Sequence, residues 1–339
     1  MWRDELTGIA VIGTGQWGKN HARVYKELQQ EGVVGVVKIC DANESRVSEL
    51  SEALGIEGMT DYRQILDDRE IVAVSIITPS KTHYQIAREF MQAGKDVLIE
   101  KPMTMAIDEA KELIRIAQQN GRVLMVGHTF RYHPAVRELK RRIDGGALGE
   151  IQTMIGTRQT FGVPRKDMGV IYALGIHELD LFCYLTGLDY PENLLAATSH
   201  TYSQEVEETA VIFMDFGRAK GYAFESWLVP VLDKKRELVV VGSKMSALID
   251  YLKPEELRLF DVRLVTHDGL PAYIENKDNQ VVSLPYAEPL KEEIRCFISC
   301  VNSRRQPPSD GPVGLRAVVM VEAALESAKI GKAISFPFE

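Results

Sequence analysis

Cysteine is scarce: Cys40, Cys183, Cys296 and Cys300 are the only four in 339 residues. They are too scattered for a disulfide framework, and with no secretory signal ahead of them a reducing cytoplasm is the expected compartment. Cys296 and Cys300 are four apart and share a helix face, but without a histidine pair nearby they read as small core residues, so no metal site is expected. Long apolar runs are missing as well. None approaches the roughly 18–20 uncharged residues of a membrane span, so no membrane partner is expected. Positive charge is not in excess either: 40 Lys and Arg against 48 Asp and Glu leave a formal net charge of -8. That balance argues against broad attraction to nucleic acid or anionic lipid and leaves room for a local basic site for a small anion. There is no repeat and no low-complexity tract, and the partner to look for is a small molecule.

The chain is long enough for two domains. Its first part alternates β-branched runs with amphipathic segments, the pattern of a parallel sheet with helical crossovers. Strands are expected at 8–13, 32–40, 71–78, 96–100 and 122–127, and helices at 17–29, 44–54, 82–93 and 107–120. This predicts a doubly wound α/β domain over residues 1–127. Residues 128–339 predict an α+β domain with a predominantly antiparallel, open sheet. It has helices at 134–142 and 170–185, strands at 209–216, 219–229, 235–242 and 246–252, and closing helices at 291–302 and from 312 to 330, the last packing back towards the first domain. Residues 253–290 carry no clear pattern.

The first strand runs into GTGQWG, where Gly13, Gly15 and Gly18 satisfy G-x-G-x-x-G in the strand-to-helix context that gives the motif its meaning. Gly13 permits the tight turn, Gly15 lets the main chain approach a pyrophosphate, and Gly18 allows close helix packing. Thr14, Gln16 and Trp17 complete the loop. Asp41, 23 positions after Gly18, closes the second strand; a carboxylate there accepts from both ribose hydroxyls and repels a 2′-phosphate, favouring NAD over NADP. Asp41 has a second reading, as the carboxylate at the start of the next helix. Thr78, Pro79 and His83 follow a strand at the same carboxyl edge, with His83 also suited to bracing a helix.

The stretch DVLIEKPMT ends a core strand in Glu100, Lys101 and Pro102. An ammonium at that rim suits holding a substrate hydroxyl and stabilising oxygen as charge develops. A helical segment, DMGVIYALGIHELDL, carries His177 and Asp180. Oxidising an alcohol also requires loss of the hydroxyl proton, which an imidazole accepts near neutrality. Lys101 and His177 are therefore the expected catalytic pair, converging over the reactive ring of a dinucleotide.

Taken together, AVIGTGQWGKNH, TPSKTH, EKP, VGHTFRYHPA, GVIYALGIHELD and EPLKEEIRCF resemble the glucose-fructose oxidoreductase and inositol dehydrogenase (Gfo/Idh/MocA) family over essentially the whole chain. The resemblance implies an N-terminal Rossmann domain binding NAD(P), and a C-terminal domain whose open sheet forms the contacts of a homodimer or homotetramer and whose other face meets substrate. It also implies reversible oxidation of a sugar or cyclitol hydroxyl, with Lys101 catalytic and His177 accepting the proton. GVIYALGIHELD looks most like the branch acting on nucleotide-linked sugars, of the UDP-N-acetylglucosamine 3-dehydrogenase kind. Arg131, Arg158 and Arg165 suit diphosphate or carboxylate recognition there, and Tyr172 joins them as a substrate candidate. Tyr132 and His133 lie near the same cleft, His133 as a structural residue. Many family members have an aspartate four residues before the histidine, where this chain has Ala173. Three alternatives follow: Asp180 compensates, Lys101 and His177 suffice, or activity has weakened. A free cyclitol or aldose dehydrogenase and a nucleotide-binding regulator without turnover are the other readings of the chain.

Overall fold

The computed structural model describes residues 6–230 and 234–338. Contacts divide the chain into two units, Met1–Thr129 with Pro289–Val318, and Phe130–Glu288 with Val319–Glu339.

The first unit is built on six strands, β1 (Ile9–Ile12), β2 (Val37–Cys40), β3 (Glu57–Met59), β4 (Ala73–Ile76), β5 (Asp96–Glu100) and β6 (Leu124–Gly127). They lie in the order β3-β2-β1-β4-β5-β6, all parallel. Crossovers are α1 (Gly18–Gln30), α2 (Glu44–Leu54), the short α3 (Arg63–Leu66), α4 (His83–Gln92) and α5 (Ile107–Gln119). The central strands are covered on both faces, so β1, β4 and β5 are buried at every position and are mainly apolar. Ile12, Ile76, Phe90, Val97 and Ile99 belong to the core between sheet and helices. The strand order reverses between β1 and β4, and ligands of such sheets bind beyond the strand ends at that point.

Two expectations change here. The run 32–40 is a strand only from Val37, because Val33 and Val34 donate back to Leu28 O and finish the preceding helix. β3 and α3 are too short to carry a periodic signal and were not foreseen.

The second unit contains α6 (Pro134–Asp144), β7 (Ile151–Gln159), a π-helical turn at Ile171–Gly175, α7 (Ile176–Thr186) and strands β8 (Asn193–Ser199), β9 (Thr209–Phe216), β10 (Ala219–Ser226), β11 (Lys235–Gly242), β12 (Ser246–Asp250), β13 (Glu256–His267), β14 (Leu270–Ser283) and β15 (Ile334–Ser335). The nine-stranded sheet runs β14-β13-β12-β11-β7-β10-β9-β8-β15. Its pairs are antiparallel except β7 with β10. β9 alternates buried Ala210, Ile212, Met214 and Phe216 with more open positions, the period-two pattern of a sheet packed on one face. The segment without a clear pattern, 253–290, contains the long β13–β14 hairpin, where among the described residues Leu257 and Leu259 are buried while Val262, Leu270, Tyr273, Ile274 and Val281 are exposed, so apolar character does not mark one face. Two helices close the chain. α8 (Pro289–Ser303) belongs to the first unit, where Lys291 bridges Glu27 and Glu31 of α1; α9 (Gly311–Ile330) is divided between the units at Val318.

Candidate active site

The loop after β1 is shaped by what its glycines leave out. Gly13 has φ +98°, and a Cβ there would lie 2.6 Å from the Ile77 carbonyl oxygen; one on Gly18 would lie 1.9 Å from the Gly13 oxygen. These two let the loop close on itself and on the end of β4. A Cβ on Gly15 would meet nothing within 4 Å, so the backbone presents a bare surface there. No side chain caps α1 and its first turn holds no carboxylate, which leaves the positive end of the helix to an anion. The loop thus fits the pyrophosphate of a dinucleotide. Asp41 closes β2 and ties the loop down: Oδ2 accepts from the Thr14 N–H at 2.7 Å and hydroxyl at 3.1 Å, while Oδ1 accepts from Asn43 N–H at 2.9 Å. The cap of α2 is Asn43, whose side chain accepts from Arg46 N–H. The reading of Asp41 as the helix-start carboxylate gives way to that of a carboxylate at the loop.

β5 delivers the Glu-Lys-Pro turn to the same rim. Glu100 is buried, and its Oε1 accepts from Trp17 Nε1 at 2.7 Å and faces His21 Nε2 at 3.3 Å; Oε2 accepts from Lys101 N–H at 3.1 Å. Burial raises the carboxyl pKa, but His21, Lys101 and Trp17 outweigh it and hold the group below its usual range. Glu100 is therefore a clamp between glycine loop and turn. His83, also buried, sets Nδ1 2.8 Å from Pro102 O and Nε2 2.9 Å from Thr78 O. Burial pushes its pKa down against the pull of those carbonyls. His83 braces two loops. The segments 13–18, 78–83 and 100–102 are thus joined through side chains, with half-buried Lys101 at their meeting point.

Behind the turn lies Glu293 of α8, fully buried and accepting from the Thr129 hydroxyl at 2.8 Å. Burial and the Glu100 charge push its carboxyl well above the usual range, the opposite direction to Glu100. Sequence reasoning missed it. The signal was its place on one stripe with Leu290, Ile294 and Phe297, where a carboxylate is out of character.

In the second unit His177 stands on the first turn of α7, directly after the π turn. Such turns are rare and collect at functional sites. The ring is half-buried and meets Phe130 edge-on, centroids 4.8 Å apart and planes at 73°. Buried ion pairs flank it along the helix. Arg158 Nε donates to both Glu178 oxygens at 2.7 Å; Arg131 donates from Nε to Asp180 Oδ2 at 2.7 Å and from Nη2 to Oδ1 at 2.6 Å. A Cβ on Gly156 would lie 2.4 Å from Glu178 Cγ, so the missing side chain on β7 makes room for the pair.

These facts correct three expectations. Arg131 and Arg158 are buried and hold internal carboxylates, so neither offers an open fork to a diphosphate; Arg165, exposed and paired with Asp167, is the arginine at the surface. Asp180 brings both oxygens to Arg131, which weakens it as a substitute for the carboxylate missing at Ala173. On an α-helix positions 173 and 177, four apart, would share a face, but residues 171–175 form a π turn with i to i+5 bonding. Tyr172, buried on that turn, donates to Glu322, and burial followed by this contact raises its pKa.

Residues 7–128 match the oxidoreductase family with an NAD-binding Rossmann fold, and residues 136–248 match the GFO/IDH/MocA C-terminal domain. The chain is 29% identical over 321 residues to a UDP-N-acetylglucosamine 3-dehydrogenase of Acidithiobacillus ferrooxidans, covering 94% of this chain and 96% of that one. It is 25% identical to a scyllo-inositol 2-dehydrogenase (NAD(+)) of Bacillus subtilis, over 88% of this chain and 87% of the relative. A solved structure of UDP-N-acetylglucosamine 3-dehydrogenase from Acidithiobacillus ferrooxidans superposes with a TM-score of 0.81 at 27% identity, covering 95% of this chain and 97% of that one.

Proposed function

The chain belongs to the Gfo/Idh/MocA oxidoreductase family, and from that premise we propose a dehydrogenase that oxidises a ring hydroxyl of a nucleotide-linked sugar, of the UDP-N-acetylglucosamine kind, at its 3-position. Bound NAD supplies the hydride acceptor. Lys101 holds the hydroxyl oxygen and stabilises its developing charge, and the imidazole of His177 takes the hydroxyl proton. Asp41 receives the adenosine ribose hydroxyls and disfavours a 2′-phosphate. The observation that carries the reading is the linkage of glycine loop and Glu-Lys-Pro turn through Trp17 and Glu100, at 2.7 Å, which ties Lys101 to the cofactor loop.

A free cyclitol or aldose is the second substrate class, favoured by one observation: Arg131 and Arg158 are engaged by Asp180 and Glu178. Stopped-flow measurement of nicotinamide absorbance with a panel of UDP-sugars and free cyclitols separates the two. Reduction by a UDP-sugar alone supports the first reading and reduction by a free cyclitol alone the second. If none reduces NAD in protein shown to bind it, the dehydrogenase reading fails.

The outward face of the second unit's sheet supports a further part of the proposal, a homo-oligomer. Leu195, Phe213, Tyr222, Ile155, Val239 and Leu248 stand in register across six neighbouring strands. Leu195 is 42% exposed, Tyr222 43% and Ile155 40%. An apolar row of that width on an open sheet supports an interface there, since a second copy with the same row is self-complementary about a two-fold axis.

A further inference from the structure

Among the described residues Arg158 is the largest wholly buried side chain. A guanidinium in the interior is an expensive choice, since well-packed apolar residues in place of a buried ion pair are often as stable or more so. Its Nε is held by Glu178, and its Nη2 has no hydrogen-bond partner among the described residues. Two aromatic rings lie against the group: Cζ is 3.9 Å from the Phe130 centroid and 4.7 Å from that of Tyr251. The two rings meet each other at 4.9 Å. On the neighbouring strands, Glu225 and Arg236 are the register partners of Arg158.

Phe130 also carries the edge-on contact to His177. Glu178 is the residue after His177, so the contacts close a loop: imidazole to Phe130, Phe130 to Arg158, Arg158 to Glu178, and Glu178 through one peptide bond back to His177. An apolar side chain at 158 would fill the same volume but would bind neither the carboxylate nor the ring face. Rotation of the first turn of α7 breaks the ion pair, and rotation of the Phe130 ring breaks the cation–π contact.

We propose that Phe130 and Arg158 are positioning residues for His177: the guanidinium, fixed by Glu178, holds the Phe130 ring, and that ring sets the plane in which the imidazole receives its proton. This rests on the reading of His177 as the proton acceptor. Precision at that atom matters because a misplacement of about 1 Å at a reacting group costs on the order of 100-fold in rate.

The experiment uses full-length protein with isotope-labelled histidine, its His177 ring signal assigned by its loss in His177→Asn. Wild type is compared with Phe130→Leu, Phe130→Tyr and the double variant Arg158→Met/Glu178→Gln, which removes both charges together and leaves neither buried alone. In wild type the ring current of Phe130, at 4.8 Å, is expected to displace the His177 signal. Phe130→Leu is expected to return it to the free-imidazole position, the double variant to broaden it, and Phe130→Tyr to retain it. With whichever UDP-sugar or cyclitol reduces NAD, Phe130→Leu is expected to lower kcat by roughly 10- to 100-fold with KM little changed, and Phe130→Tyr to restore it. A His177 signal unmoved in Phe130→Leu, or an unchanged kcat in that variant, overturns the positioning role. Wild-type turnover in His177→Asn defeats the functional reading instead, while the ring signal still decides whether Phe130 holds the imidazole.

Discussion

Single residues in both units do work that their types alone do not announce. Asp41 binds the glycine loop through Thr14 and keeps the carboxylate at the end of β2. Asp41→Ala is expected to weaken NAD binding by roughly 10- to 100-fold, about 1.5–3 kcal/mol for charged hydrogen bonds, and to narrow the preference over NADP; calorimetric titration with both dinucleotides measures it. Equal losses for the two cofactors would remove its role in discrimination. His133 gives a pH signature. Burial, helped by Arg158 and opposed by the Tyr251 backbone and Asp250, lowers its pKa to about 4. The folded state therefore favours the neutral ring, while the unfolded chain takes a proton near the ordinary value of ~6.5. Its stabilisation is whole above that value and is lost as pH falls from there towards about 4, up to ~3 kcal/mol. Urea midpoints measured down this range should fall less steeply in His133→Asn than in wild type.

At the scale of elements, the glycine loop separates two kinds of necessity. Gly18→Ala drives a methyl group into the Gly13 carbonyl, where backbone must move, and a loss of stability of a few kcal/mol is expected, of the size set by overpacking. Gly15→Ala meets open space, so its melting temperature without cofactor should match wild type while NAD affinity drops by about tenfold or more, since the methyl occupies the phosphate's side. A cofactor affinity left intact in Gly15→Ala would place the pyrophosphate elsewhere. These glycines were legible because the motif states a backbone requirement, and the buried strands were legible because parallel sheets read as apolar runs. The β13–β14 hairpin and the π turn were not. A ribbon whose apolar residues are both buried, as at Leu257 and Leu259, and exposed, as at Tyr273 and Ile274, shows no clean hydrophobic period, and a π turn differs from an α turn by one residue of bonding that tertiary packing selects.

For the whole molecule, the nine-stranded sheet buries one face against helices and presents an apolar row on the other. Placing like charge in that row, with Tyr222→Glu together with Leu195→Glu, is expected to lower the molar mass measured by light scattering to that of one chain, because burying uncompensated charges costs several kcal/mol. An unchanged mass would move the interface away from this face. Closure of the first unit by α8 is visible in Lys291 and Arg295, which reach Glu27 and Glu31 across more than half the chain's length. No local pattern announces such a pairing, for charges on an exposed helix face look alike whether or not a partner awaits them.

By itself, the sequence determined the doubly wound sheet, the cofactor loop and the Glu-Lys-Pro turn, because each rests on local constraints: apolar periodicity, glycine stereochemistry and the end of a buried strand. Only the tertiary structure decided that Arg131 and Arg158 serve Asp180 and Glu178, that His83 and Glu100 brace loops, and that Glu293 is buried beside Glu100. The physical reason is that a charged or titratable side chain takes its role from whatever is within hydrogen-bond reach, and that neighbourhood is set by folding, not by position in the chain.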